Sequence, residues 1–161
     1  MVDASDQPKG RRAAEFSIAS DGSWRYRGSP IQREALVNLL CRMLECDSAG
    51  NFVLVTPDQR LRVDVADAPF VIVAAEMTGD EEAPAVALLT RHGERVMLGP
   101  EHPLSLRTAP DGQQKPYVRI RAGLDAVVTR AVFYALAESA TQQRPDGPYG
   151  IPSGGVFFPL E

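Results

Sequence analysis

Apolar and polar residues alternate over several short segments of the chain, and this pattern predicts strands. Residues 16–19 and 24–27 flank an Asp21-Gly22 turn, an arrangement typical of a β-hairpin. Residues 60–65 alternate with period two, which predicts a strand with one buried face. Short apolar runs bounded by turn residues predict further strands at residues 52–55, 70–75, 86–90, 95–98 and 117–121.

Two other segments carry apolar residues at helical spacing. The first helix is predicted to begin at Ser29-Pro30, with Ser29 as the N-cap, and to run to about Glu45. The second is predicted over residues 124–139, which places Arg130 in the middle of an otherwise apolar helix. The pattern therefore predicts an α+β fold with two helices.

Similar segments precede the two predicted helices. Residues 24–27 alternate aromatic residues with arginines, and residues 117–121 repeat an Arg-x-Arg pattern before the second helix. Residues 99–116 contain four prolines and two glycines, and they are predicted to form a linker between these copies. The two strand–helix segments together predict a duplicated unit.

Composition limits the kinds of protein that this sequence can be. With 161 residues the chain can bury one ordinary core or two small ones. A net charge of −4 opposes general nucleic-acid binding, which needs a basic face. Cys41 and Cys46 lie five residues apart on the predicted helix, too far round it for a disulfide. No apolar run reaches membrane-spanning length, so a cytoplasmic location without a membrane partner is expected.

Residue patterns for catalysis and metal binding are weak. Asp64 and Asp67 are near each other, but the pattern places one on a solvated strand face and the other at a turn before Pro69. His92 and His102 have no second metal ligand at useful spacing. The sequence contains neither a nucleophile elbow nor a phosphate-binding glycine motif. We therefore expect no enzyme activity and no cofactor.

Arginine supplies nearly all of the positive charge, because Lys9 and Lys115 are the only lysines. Such arginines either form internal ion pairs, with Glu34, Asp67 or Asp125 as candidate partners, or bind a phosphate or carboxylate ligand. Hydroxyl groups, an aromatic ring and a glycine turn would complete a ligand site of this kind. The predicted ligand-binding residues are Arg33, Thr56, Tyr117, Arg119, Arg121, Arg130, Ser153 and Gly154.

Short motifs follow one another in order across residues 16–160. They are Asp21-Gly22-x-Trp24, Gly28-x-Pro30-Ile31-x-Arg33, Leu54-Val55-Thr56-Pro57, Val63-x-Val65-x-Asp67-Ala68-Pro69-Phe70, Glu101-His102-Pro103-Leu104, Pro116-Tyr117-Val118-x-Ile120-Arg121-x-Gly123-Leu124 and Ser153-Gly154-Gly155-Val156-Phe157-Phe158-Pro159. This ordered set resembles the bacterial family called domain of unknown function 1285.

The resemblance implies a fold, a site and a role. It implies a duplicated core of antiparallel strands wrapped on a helix, with a C-terminal half superficially like a pleckstrin-homology domain. It also implies a nucleotide-like ligand between the halves, a role in signal transduction and no enzymatic activity. The alternative function is a protein–protein interaction or adaptor module without a small ligand, in which the arginines are structural.

The predicted organisation has three parts. Residues 1–14 are polar and are predicted to be a disordered arm. Residues 15–60 form an N-terminal strand–helix–strand half. Residues 61–161 form a β-rich C-terminal half with a long helix and a closing strand.

Overall fold

A computed structural model describes residues 13–161, so residues 1–12 of the predicted arm lie outside the described part of the chain. Strands form most of the regular structure, and two helices accompany them. Alternation of buried and exposed residues explains the strands. In one of them, for example, buried Val63 lies between half-buried Arg62 and exposed Asp64.

Six strands of the N-terminal half form the first sheet. They are β1 (Phe16–Ile18), β2 (Trp24–Tyr26), β3 (Ser29–Pro30), β4 (Leu44–Cys46), β5 (Phe52–Val55) and β6 (Arg60–Val65). Their order across the sheet is β3-β2-β1-β6-β5-β4. Helix α1 (Glu34–Met43) connects the two edge strands, β3 and β4. It buries Val37, Leu40 and Cys41.

Six further strands form the second sheet. They are β7 (Phe70–Gly79), β8 (Pro84–Thr90), β9 (Arg95–Met97), β10 (Leu104–Thr108), β11 (Gln114–Arg121) and β12 (Leu124–Val128), in the order β10-β11-β12-β7-β8-β9. Helix α2 (Arg130–Glu138) follows β12. A small third sheet then contains β13 (Thr141–Gln142), β14 (Tyr149–Ser153) and β15 (Val156–Pro159).

The two large sheets have the same strand order. Each contains two antiparallel three-stranded meanders. The first and last strands of each sheet pair in parallel and so join its two meanders. The helices occupy different positions, since α1 lies between the two meanders and α2 follows the second one. The predicted repeat was therefore aligned wrongly. It matched β2 with β11, whereas the shared order matches β2 with β8.

Both predicted helix starts were wrong. Arg27 and Gly28 have φ values of 51° and 84°, and this two-residue turn returns the chain as β3 beside β2. Ser29 and Pro30 therefore belong to a strand, and α1 begins four residues after Pro30.

The start of the second predicted helix is also a strand. Gly123 has a φ of 74° in the tight turn that follows β11. The next five residues pair with β11 and β7 as β12. Thr129 is the N-cap of α2, and its hydroxyl oxygen accepts a hydrogen bond from the N–H of Val132. Arg130 therefore lies at the first position of the helix and not in its middle.

Two boundaries predicted from the sequence can be placed against the sheets. Residues 99–116 are not a linker between halves, because they contain β10 and the beginning of β11 inside the second sheet. The predicted division after residue 60 falls at the start of β6, whereas the two sheets divide between Val65 and Phe70.

One hydrophobic core joins the two halves. It contains Trp24 and Leu44 from the first half together with Phe70 and Val118 from the second. The opposite face of the second sheet carries a smaller cluster of Ala68, Val71, Ala109, Tyr117 and Val127. No helix within residues 13–161 is long and apolar enough to cross a membrane.

Candidate functional site

A cavity of about 760 Å³ lies where the β1–β2 turn meets the second sheet and α2. The first half contributes Ser20 and Asp21 to its wall. The second half contributes its floor and the remaining walls. This volume falls within the range of about 300–1,000 Å³ that is common for small-molecule sites. We call this space the junction cavity.

Aliphatic side chains line much of the junction cavity. Val71 and Val127 are buried members of the small cluster on this face of the sheet. Val73 and Leu106 extend the floor, and Phe133 from α2 forms part of the wall. Strand alternation places these residues here, because Val71 and Val73 point away from the main core that holds Phe70 and Ile72. The floor therefore offers an apolar surface to a ligand.

Three cationic side chains line the junction cavity together with two carboxylates. Arg91 lies 3.9 Å from Asp21, and its Nη1 also donates to the Asp21 carbonyl oxygen at 3.2 Å. Hydrogen bonds from Ser23, helped by Arg91, hold the pKa of Asp21 below its usual value. Lys115 lies 3.6 Å from Asp67. These contacts bring charge from both halves to one opening.

Arg130 is the third of these cations, and it lies at the first position of α2. Within residues 13–161 no carboxylate forms an ion pair with Arg130. The Thr129 hydroxyl accepts from the N–H of Val132, and Thr129 and Arg130 at the start of the helix line the cavity. The helix dipole and Arg130 both favour an anion at this end.

Tyr117 and Asp67 support the cavity from below. The Tyr117 hydroxyl donates to Asp67 Oδ1 at 2.7 Å. Burial, reinforced by the hydrogen bond to Asp67, raises the pKa of Tyr117 well above its usual value. The Arg107 guanidinium stacks over the other side of the ring, 4.2 Å from its centroid. Tyr117 was predicted to stack on a ligand, but its ring is buried and its hydroxyl is occupied.

Arg121 lies in a different cleft, of about 380 Å³, between α1 and the second sheet. Its Nη2 donates to the carbonyl oxygens of Cys41 and Leu44 at the C-terminal end of α1. Its Nη1 lies 3.6 Å from Glu94. Arg121 was predicted to bind a ligand. In the structure its Nη2 group donates to the protein backbone, so Arg121 acts as a cap that joins the halves.

The other predicted site residues are scattered over the molecule. Arg33 is exposed at the N-cap of α1, and the Thr56 hydroxyl oxygen accepts from the N–H of Gln59 in the β5–β6 turn. Arg119 pairs with Asp125 at 2.6 Å, as the internal ion-pair interpretation predicts. None of these residues lines the junction cavity.

Ser153 and Gly154 have structural positions. The Ser153 side chain is fully buried, accepts a hydrogen bond from the N–H of Val86 and donates to the Leu98 carbonyl oxygen at 2.6 Å. A Cβ atom on Gly154 would lie 3.1 Å from that same carbonyl oxygen. Both residues therefore fasten the third sheet to β8 and the end of β9, away from the junction cavity.

Arg91 and Lys115 line the junction cavity but were missed as site residues. Arg91 follows β8 at the tip of a hairpin, and only the fold brings that tip to the Asp21 turn. Lys115 was noted only as one of two lysines. Alternation along residues 114–121 gives a signal for it, because Lys115 and Tyr117 share one strand face.

The two histidines bond to backbone atoms. His92 Nε2 lies 2.9 Å from the Gly22 carbonyl oxygen, and His102 Nδ1 lies 3.0 Å from that of Arg119. Asp67 accepts from Tyr117 instead of capping the turn before Pro69. In the described part of the chain, no three His, Cys, Asp or Glu side chains cluster in a way that would hold a metal ion.

Comparison with known proteins places the chain in a family. Residues 5–68 match the family described as "Domain of unknown function (DUF1285), N-terminal domain", and residues 69–160 match "Protein of unknown function (DUF1285), C-terminal domain". A search of curated proteins found no significant match.

Two crystal structures of DUF1285 family proteins resemble this one. The protein from Silicibacter pomeroyi DSS-3 is 37% identical, with a TM-score of 0.81 over 92% of this chain and 80% of that chain. The protein from Shewanella baltica OS155 is 23% identical, with a TM-score of 0.59 over 78% of this chain and 91% of that chain, and this likeness concerns the fold alone. The chain therefore belongs to the DUF1285 family.

Proposed function

We propose that this chain is a non-catalytic protein that binds a small anionic ligand in the junction cavity. The observation that carries the proposal is the pairing of an apolar floor with Arg130, a cation that has no acidic partner among the described residues. A ligand with an anionic group would satisfy that cation, and its remaining part would cover Val71, Val73 and Val127.

A nucleotide-like ligand and a signalling role in the cytoplasm form part of this proposal, and the family resemblance supports them. The family resemblance also implies a C-terminal half superficially like a pleckstrin-homology domain, and this likeness is part of the proposal. A protein of this kind would change its contacts with a partner when the ligand is bound. Because the ligand contacts both halves, binding would hold Ser20 and Asp21 against α2.

A thermal-shift screen tests the proposal directly. Nucleoside mono-, di- and triphosphates, pyrophosphate and citrate would be added to the full chain at millimolar concentration. A ligand that binds only the native state raises stability by about 2.7 kcal/mol at 100 times its Kd. Arg130→Ala should abolish the shift, and Arg33→Ala is the matched control, since Arg33 is exposed and lies outside the cavity. The absence of a shift with any of these anions would contradict a nucleotide-like ligand, and an equal shift in Arg130→Ala would contradict binding in the junction cavity.

An adaptor function is the second candidate, and one surface favours it. Leu89 of β8 and Met97 of β9 are 38% and 40% exposed. They lie on the same sheet face as Ala74 and Ala87, because Leu89 pairs with Ala74 and Met97 pairs with Ala87. A protein partner would bury this apolar patch. The double variant Leu89→Lys, Met97→Lys should then abolish recovery of a stoichiometric partner, and unchanged recovery would contradict the adaptor function.

A further inference from the structure

The charges around the junction cavity are nearly balanced before any ligand binds. Its lining holds three cations (Arg91, Lys115 and Arg130) and two carboxylates (Asp21 and Asp67). Arg91 faces Asp21 at 3.9 Å, and Lys115 lies 3.6 Å from Asp67 and 3.1 Å from Asp111, just outside the lining. Arg130 is the one lining cation without an acidic partner in residues 13–161. A ligand with one negative charge would pair with Arg130 without adding further negative charge beside these carboxylates.

A ligand with several negative charges fits this balance poorly. A phosphate monoester carries a charge of about −1.5 to −2 at pH 7, and di- and triphosphates carry more. The excess charge would lie beside Asp21 and Asp67, where like charges in a partly desolvated site repel. A carboxylate, in contrast, carries one charge and matches the planar guanidinium group with two parallel hydrogen bonds.

The buried floor also lacks groups that distinguish a nucleobase. Of the uncharged polar lining residues, Ser20, Gln113, Gln114 and Tyr134 are exposed, and the Thr129 hydroxyl already accepts from the N–H of Val132. The Asp67 side chain is only 7% exposed, and it already accepts from Tyr117. Recognition of a base edge requires free donors and acceptors facing it, and the aliphatic floor offers none. The floor favours a hydrocarbon body.

We infer that the junction cavity binds an apolar monocarboxylate, with the carboxylate on Arg130 and an aliphatic body over Val71, Val73, Val127 and Leu106. This inference rests on the proposed function, since it names the ligand class of the same site. Transfer of each methylene group from water to the floor favours binding by the hydrophobic effect. The charged end contributes specificity, because it sets the orientation of the body in the cavity.

Titration calorimetry on the full chain at pH 7 tests the ligand class. Decanoate should bind with a negative heat-capacity change, and octanoate should bind about tenfold more weakly because it has two fewer methylene groups. Decanol keeps the hydrocarbon chain without the charge and should bind at least about tenfold more weakly than decanoate. AMP and ADP should bind more weakly than decanoate.

Three variants test the placement. Arg130→Gln should weaken decanoate binding by about tenfold or more but leave decanol binding unchanged. Val73→Gln alters a floor residue that is 43% exposed, so it should weaken both ligands without unfolding the chain. Arg33→Ala should change neither. An affinity for decanoate that neither Arg130→Gln nor Val73→Gln changes would overturn the inference.

The outcomes separate this inference from the proposed function. If AMP or ADP binds more tightly than decanoate and depends on Arg130, the proposed function stands and the apolar-monocarboxylate inference is wrong. If none of these compounds binds, both are wrong. If decanoate binds through Arg130 and Val73 and the nucleotides do not, the cavity binds a small anion as proposed and the monocarboxylate inference stands, but the nucleotide-like part of the proposed function is wrong.

Discussion

Arg121 and Arg130 both lie at a helix end where the two halves of the molecule meet, yet their surroundings are opposite. Arg121 approaches the C-terminal end of α1, where it donates to two carbonyl oxygens, lies near Glu94 and stacks on the Phe70 ring. Arg130 begins α2 and has neither a carboxylate nor a carbonyl partner among the described residues.

The difference separates a structural cation from a cation that is available to a ligand. The Arg121 cap joins α1 to β11, so its donors stabilise the packing of one half on the other. Among the described residues the Arg130 side chain has no ion pair and no hydrogen bond, and it lies beside an apolar cavity. We therefore expect mutations at these two positions to affect different measurements, one stability and the other binding.

Arg121→Ala should give the largest loss of stability. It removes charged hydrogen bonds to the last carbonyl groups of α1 as well as the attraction to Glu94. Hydrogen bonds of a charged group contribute about 1.5–3 kcal/mol, so a loss of about 2 kcal/mol is expected. Urea unfolding followed by circular dichroism measures it. A change below about 0.5 kcal/mol would mean that Arg121 is not a structural cap.

Tyr117→Phe should have the next largest effect. It leaves the ring in place but removes the hydroxyl that donates to Asp67. The largely buried carboxylate then keeps only Lys115, and about 1–2 kcal/mol of unfolding free energy should be lost. Calorimetric unfolding checks this value. Tyr149→Phe, which removes the hydroxyl of a tyrosine that is 50% exposed, is the matched control and should change the unfolding free energy little.

Alkaline pH should lower the free energy of unfolding through Cys41, which lines the same cleft as Arg121. Burial raises the pKa of the Cys41 thiol to about 11, whereas a thiol in the unfolded chain has a pKa of about 8.5. The folded state thus favours the neutral thiol, and this contribution is complete below the unfolded pKa and is lost as pH rises toward the folded pKa.

The wild-type chain should lose about 1 kcal/mol more than Cys41→Ala between pH 8 and pH 10. Urea unfolding of both proteins at the two pH values measures the difference. Equal losses in the two proteins would mean that folding does not change the ionisation of the Cys41 thiol, and they would contradict this prediction.

Arg130→Ala should have the smallest effect on stability. Its side chain is exposed and has no ion pair in the described chain, so a change within about 0.5 kcal/mol is expected from urea unfolding. Together with Arg121→Ala, this variant tests whether Arg121 is structural and Arg130 is not. A loss as large as that of Arg121→Ala would show that Arg130 has a structural partner.

Many of the strands could be predicted from the sequence, because the alternation of apolar and polar residues shows which side of a strand is buried. The Asp21-Gly22 hairpin and the strand from Arg60 to Val65 were predicted near their observed bounds. The helix starts could not be predicted, because Arg27-Gly28 and Ala122-Gly123 turns were not recognised. At the first start, Ser29 and Pro30 have the residue types of an N-cap and a first helical position although they form β3. At the second start, the apolar spacing of β12 continues into that of α2.

The site was harder to predict because its parts come from distant segments. Arg130 was identified for a reason that is wrong, namely burial in the middle of a helix. Arg119 and Arg121 were both predicted to bind a ligand. The alternative of an internal ion pair with Asp125 holds for Arg119, its cross-strand neighbour, whereas the contact of Arg121 with α1 joins segments distant in sequence. Neither Arg91 nor its approach to Asp21 follows from local sequence, since 70 positions separate the two residues.

The parallel pairs that close the two sheets have a consequence for synthesis. β1 pairs with β6 and β7 pairs with β12, so the first strand of each large sheet can pair with the last one only after the strands between them have been synthesised. Contacts this distant in sequence slow folding, because the intervening chain must be ordered before they form. During translation the first half can close its sheet once β6 has left the ribosome, before β7 is available. We therefore expect the strands of the first sheet to pair with one another before strands of the second sheet are available to them.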